Sequence, residues 1–361
     1  MDRQIVNSSA RLPGLDALRG LAALGVLFWH YGAHFGAKPL EAWLHPFYTA
    51  GLYLVDVFFV LSGYLLACLY RRPDQARAFL AKRAARLFPL HWVTLGVVVI
   101  LQAIYLRQTG SFFIYTFNDL YHFILNLGLL QYVGLQKGFS FNGPAWSISV
   151  EWVVNLVFLG LLLLPRWRVA LGAVLCLSGL AGLWLMEQRL ITGAAPLWGW
   201  FDGALLRGLF GFFAGLLLAK GLPPSSRRHT AWDVIGLVAL ALLLVFMSRP
   251  AWQAVRGFDF MMVGVVVPAL IAGCSRGRRL ADLTQWRALT WLGDVSFSVY
   301  LWHFPIQLLF VIAVAIGVNL DFAAPGVLAI FIFTSYLAGH LSWTRLEMPA
   351  QRKLLKNLPR T

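Results

Sequence analysis

Residues 15–36 read LDALRGLAALGVLFWHYGAHFG. Arg19 and His30 bracket ten residues that carry no charge. On an α-helix, eleven residues advance about 16 Å and turn about 1100°, three full turns plus roughly 20°. The two side chains therefore share one face, stacked along the axis. An arginine near the edge of an apolar helix can snorkel to the membrane interface. A histidine eleven residues further along has no such escape, so the pair marks two levels of one polar track.

The rest of the chain extends this pattern. Of 361 residues, 59% are hydrophobic and only 12% are charged, which excludes a soluble domain of this size and predicts an all-α, polytopic membrane bundle. Ten apolar stretches are long enough to cross a hydrocarbon core of about 30 Å: 14–34, 50–69, 88–106, 146–164, 169–186, 201–219, 231–248, 258–274, 293–316 and 324–343. Residues 118–134, with Asn, Asp, His and Gln among their apolar residues, predict a half-buried or interfacial helix instead. A single transmembrane domain over 1–361 is expected, with short tails at about 1–13 and 345–361. The polar stretch before the first span and the lack of a small-residue cleavage site argue against a cleaved leader.

A net charge of +15 would suggest nucleic acid in a soluble protein, but its placement is topological. With the N-terminus inside, 23 basic residues fall on the inner side, among them Arg3, Arg11, Arg19, the run from Arg71 to Arg86, and Arg345 to Arg360. Six fall outside: Lys38, Arg107, Lys137, Arg189, Arg249 and Arg256. That asymmetry predicts both termini in the cytoplasm and the loop 107–145 on the outer side; nucleic acid is not an expected partner.

Cys68, Cys176 and Cys274 fall in separate spans, without a CxxC pair, so neither a disulfide framework nor a metal site is expected. No GxSxG, HExxH or GxGxxG motif occurs. What remains are ionisable groups inside spans, which are costly there and mark function by default. Depth counted from span edges puts His30 and Glu151 at a similar level, His303 near the middle of its span, Asp56 at the outer end of the second span and Arg207 about a third of the way into the sixth. A histidine beside a carboxylate suits removal of a hydroxyl proton, whereas polar residues in bundles also simply tie helices together. From Asp74, the segment before residue 88 reads as a basic amphipathic helix. It can lie on anionic lipid, or Arg83 and Arg86, one turn apart, can clamp phosphate.

The motif PGLDALRGLAALGVLFWH (13–30) resembles the opening of the membrane acyltransferase-3 family, which O-acylates surface glycans and related glycosides. The resemblance continues, in order, through VDVFFVLSGYLLA (55–67), KRAARLFPLHW (82–92), GPAWSISVEW (143–152) and LGDVSFSVYLWHFPI (292–306), and ends with WTRLEMP (343–349). It implies His30 as the essential histidine with Arg19 as its partner and Glu151 as the acidic residue, making these three catalytic. It also implies Arg83 with Arg86, and Tyr300 with His303, as donor-binding residues. The stand-alone type, without an esterase-like domain, is expected. So are acyl-CoA, most simply acetyl-CoA, as donor substrate with no tightly bound cofactor, a glycan or lipid-linked sugar as acceptor, and multi-pass residence in the inner membrane among its lipids. The rival from another class is a polysaccharide or polyprenyl-glycan exporter, and a macrolide-type glycoside is an alternative acceptor.

Overall fold

The computed structural model describes residues 12–186, 190, 203–225 and 227–356. Arg3, Arg11, Arg189 and Arg360, most of the N-terminal tail and the last five residues lie outside the described residues. The first helix, α1 (Pro13–Phe35), opens with Pro13, whose missing N–H costs nothing at a first helical position, carries Asp16 in its first turn, and stops at Gly36, φ +66°. There follow α2 (Glu41–Ala50), α3 (Leu54–Leu69), α4 (Ala76–Thr109), α5 (Leu120–Leu127), α6 (Trp146–Leu163), α7 (Arg168–Met186), α8 (Gly203–Gly221), α9 (Thr230–Ser248), α10 (Phe258–Arg276), α11 (Arg287–Ala315) and α12 (Pro325–Leu355). Among the described residues there is no strand.

Nine helical stretches among the described residues are long and apolar enough to cross a membrane. They match nine of the ten expected spans. The tenth, α1, has 23 residues, about 34 Å of helix, but Asp16, Arg19, His30, His34 and four glycines make it less apolar. It can carry them because it is an interior helix, packed against α2, α3, α10 and α11, with much of its length buried. The lipid-facing work falls to other helices, whose apolar side chains point outward, such as Val234 and Val238 of α9 and Phe333 of α12. The chain is a multi-pass membrane protein.

Small residues set the closest helix approaches, as expected where apolar burial alone cannot drive association. A Cβ on Gly63 would strike the Phe212 carbonyl, and one on Gly215 the Val60 carbonyl, locking α3 to α8. A Cβ on Gly20 would come within 2.6 Å of Leu292 Cβ, and one on Gly293 would strike the Asp16 backbone, locking α1 to α11.

One expectation changes, at α4, and the half-buried helix expected within 118–134 is present as α5. The amphipathic segment after Asp74 and the span at 88–106 form one continuous 34-residue helix, α4, which runs through Pro89. At about 51 Å it exceeds the hydrocarbon thickness, so its basic first turns project beyond it. The loop 107–145 also folds back into the bundle. Its α5 has eight residues, about 12 Å, too short to span. The Asp119 carboxylate caps it, accepting from the His122 N–H at 2.8 Å, and that bond holds the carboxyl below the usual carboxylate range. The far end of α5 docks on the middle of α4: His91 Nε2 donates to the Asn126 carbonyl at 2.8 Å and Trp92 Nε1 to the Leu127 carbonyl at 3.0 Å.

Candidate active site

One face of α11 organises the interior. Gly293, Ser296, Tyr300, His303 and Gln307 recur every three or four residues, so they align along the helix. Each meets a partner on another element. At the lowest level, Arg19 of α1 donates to the Gly293 carbonyl at 2.8 Å, to Ser296 Oγ at 3.1 Å, and to the Asp16 carboxylate at 3.2 Å. Two turns beyond Gly293, the Tyr300 hydroxyl donates to the Pro144 carbonyl at 2.7 Å. Having spent its one proton there, it accepts from the Ser147 hydroxyl at 2.8 Å.

At the next level the rings of His303 and His30 lie 4.6 Å apart, and His34, one turn beyond His30 on α1, lies 5.1 Å from it. The protein fixes the tautomers. His30 Nδ1 is 3.0 Å from the Val26 carbonyl, and His303 Nδ1 faces the Tyr300 carbonyl. A carbonyl only accepts, so both Nδ1 atoms carry hydrogen and both Nε2 atoms carry a lone pair. Among the described residues, buried His303 Nε2 has no hydrogen-bond partner. The Gln307 amide donates to the His30 carbonyl at 3.0 Å. His30 is buried, with a lone pair presented into the interior, which is what a general base requires.

The carboxylates sit elsewhere. Glu151 of α6 accepts from the Ser62 hydroxyl at 3.1 Å and pairs with Arg83 of α4 at 3.6 Å. Arg86, the next turn of α4, lies 5.3 Å over the Phe297 ring. Glu347, in the last turns of α12, is buried and accepts from Ser298. Arg207 of α8 makes a two-pronged pair with Asp56 of α3, 2.7 Å for each bond, donates to the Leu52 carbonyl at 3.0 Å, and lies 5.3 Å over the Trp146 ring. Among the described residues no group of three His, Cys, Asp or Glu side chains has metal-binding geometry.

A family model for the acyltransferase domain matches residues 12–340. The chain belongs to the acyltransferase-3 family. It is therefore an acyltransferase. It is similar to the acyltransferase MdmB of Streptomyces mycarofaciens, 28% identical over 97% of this chain and 94% of that one. It is also similar to the exopolysaccharide production protein ExoZ of Rhizobium meliloti, 27% identical over 85% of this chain and 91% of that one. A third relative, the peptidoglycan O-acetyltransferase OatA of Listeria monocytogenes, is 25% identical over 85% of this chain, which spans only about half, 51%, of its length. No solved structure matches.

The family motifs converge on this column. Arg19, His30, Tyr300 and His303 lie along the same face of α11, with Arg86 against Phe297 beside it. Glu151 does not join His30, and this corrects the depth estimate. The chain enters α6 from below the histidines: Asn142 donates to the Leu301 carbonyl at 3.0 Å, and Ser147 meets Tyr300. Glu151 is one further turn down α6, while His303 lies three residues up α11, so the two levels differ by about 10 Å. Sequence reasoning also missed Gln307, His34, Ser298 and Glu347. His34 follows His30 at helical spacing, and Glu347 stands inside WTRLEMP; those were the available signals.

The Arg207–Asp56 pair yields a direct expectation. Both side chains are buried, so removing one partner strands the other's charge, at a cost of about 3–5 kcal/mol, while an apolar replacement of both is often tolerated. Asp56→Leu should lower the unfolding temperature in detergent markedly, and Asp56→Leu with Arg207→Leu should recover much of the loss.

Proposed function

We propose that this protein transfers an acyl group, acetyl in the simplest case, from acyl-CoA at the basic end of the bundle to a sugar hydroxyl of a surface or lipid-linked glycan. The observation that carries the reading is the single polar face of α11. It joins an arginine level to a histidine level about 16 Å away in a member of an acyltransferase family. The basic end is where α3 and α8 finish and α4 and α11 begin. Arg83 and Arg86, with Arg19, supply fixed positive charge for the donor's phosphates. An extended pantetheine arm covers the distance to His30.

His30 then acts as the base. Its Nδ1–H is held by Val26, so Nε2 takes the acceptor's hydroxyl proton as the oxygen attacks the thioester carbonyl. Collapse of the tetrahedral intermediate breaks the C–S bond, and the sulfur leaves as a thiol, taking the proton back from His30. Tyr300 and His303 line the place of the thioester. Glu151 acts one level lower, by fixing Arg83. The names of two relatives, exopolysaccharide production and peptidoglycan O-acetylation, support a polysaccharide acceptor, and the basic asymmetry of the loops supports the inner membrane with both termini in the cytoplasm.

Purified protein given acetyl-CoA should release free CoA only when an acceptor is present; an exporter would release none. His30→Ala should abolish this release while reaching the membrane at normal levels, and wild-type turnover by that variant would remove His30 from the mechanism. Replacing Arg83 and Arg86 together by alanine removes two charge-assisted contacts of roughly 1.5–3 kcal/mol each. The KM for acetyl-CoA should rise at least tenfold; an unchanged value would assign the pair to lipid anchoring instead.

A further inference from the structure

His34 has no part in the reaction as described so far, yet the protein holds it with care. The Gln307 amide NH₂ donates to the His30 carbonyl at 3.0 Å, which fixes the orientation of that side chain. Gln307 Oε1 therefore faces His34 Nδ1, at 2.9 Å. An amide oxygen only accepts, so the hydrogen of His34 lies on Nδ1 and its Nε2 carries a lone pair. The group that meets this lone pair is the hydroxyl of Tyr115, from the segment that folds back into the bundle, at 3.4 Å. Burial raises the pKa of that phenol, so it stays protonated and acts as the donor.

The contact is long for a bond to a hydroxyl, whose usual length is nearer 2.7–2.8 Å. Among the described residues it is also the only hydrogen bond of the Tyr115 hydroxyl, whereas the His34 ring is anchored firmly on its other nitrogen. The Tyr115 ring is held in place by packing, 4.9 Å from Phe304 and directly over Gly143, where any side chain would collide with it. A rigid acceptor nitrogen thus stands one helical turn beyond His30, met loosely by a hydroxyl of the protein's own.

We infer that His34 Nε2 binds a hydroxyl of the acceptor sugar, and that the Tyr115 hydroxyl occupies its place in the resting protein. Gln307 is the positioning residue: one amide ties the backbone of the base, His30, to the side chain that holds the acceptor. This assignment rests on the acyl-transfer reading and adds to it a residue that selects the acceptor and leaves the donor untouched.

The test is steady-state kinetics with acetyl-CoA and octyl β-glucoside. His34→Ala should raise the KM for the glucoside at least tenfold while leaving the KM for acetyl-CoA within about twofold. Gln307→Leu should reproduce that effect. Gln307→Glu keeps the acceptor for the Nδ1 hydrogen but loses the donor to the His30 carbonyl, so its glucoside KM should stay nearer the wild-type value than that of Gln307→Leu, while kcat falls. Tyr115→Phe removes the resident hydroxyl, so the glucoside KM should stay level or fall. Equal losses toward both substrates in His34→Ala would make His34 a packing residue and overturn the inference. A rise in glucoside KM in Tyr115→Phe matching that of His34→Ala would overturn it too, by making the phenol the binding group. Failure of the wild-type protein to release CoA with any alcohol would overturn the reaction itself, and this assignment with it; acetyl transfer insensitive to His34 would sink the assignment alone.

Discussion

The guanidinium of Arg19 against the Gly293 carbonyl and Ser296 hydroxyl is the contact on which the rest of the site depends. It lies where α1 and α11 approach most closely, because Gly20 and Gly293 present no side chain there. Both helices run in the same direction, and the register set at this junction carries upward unchanged. Eleven residues separate Arg19 from His30, and eleven separate Ser296 from Gln307, which meets the His30 carbonyl. One contact near the helix starts thus delivers the base, the second histidine and the glutamine to the same level about 16 Å further on.

A charged group in a membrane interior survives only with partners, and the bundle supplies them level by level. Arg19 is covered by backbone, hydroxyl and carboxylate; Arg207 by Asp56, a carbonyl and an indole face; Arg83 by Glu151. These pairs divide the labour of the interior. The Arg207–Asp56 pair is buried and complete, with little left to offer a ligand. The Arg83–Glu151 pair is looser, at 3.6 Å, and Arg83 Nε has no hydrogen-bond partner among the described residues, so this arginine retains bonding capacity that a phosphate could use. Among the described residues, the histidine level holds no carboxylate in contact. Rings anchored there through Nδ1 turn Nε2 toward hydroxyl protons.

Much of this was legible in the sequence. Helix positions followed from apolar runs, since each span had to satisfy its own backbone in lipid, and the shared face of Arg19 and His30 followed from helical geometry alone. The pairing of charges across helices was not legible, because it depends on which helices touch: Asp56 and Arg207 were both visible as buried ionisable residues, but nothing local joins residues 151 positions apart. The misplacement of Glu151 has a specific cause. Counting depth from the start of a span assumes that the span starts at the membrane edge, and the segment before Trp146 instead threads inward to Tyr300 and Leu301. Gln307 looked like an isolated polar residue in an apolar helix; only the register between α1 and α11 gives it two partners.

The central claim is that one column connects a donor entering from the basic end to a base near the opposite end. Reconstituting the protein in sealed vesicles in one orientation, with acetyl-CoA labelled in the acetyl group supplied to one side at a time and acceptor on both sides, tests it directly. The account predicts labelled acceptor only when acetyl-CoA faces the end bearing Arg83 and Arg86. Equal labelling when acetyl-CoA is supplied solely from the His30 end would contradict it.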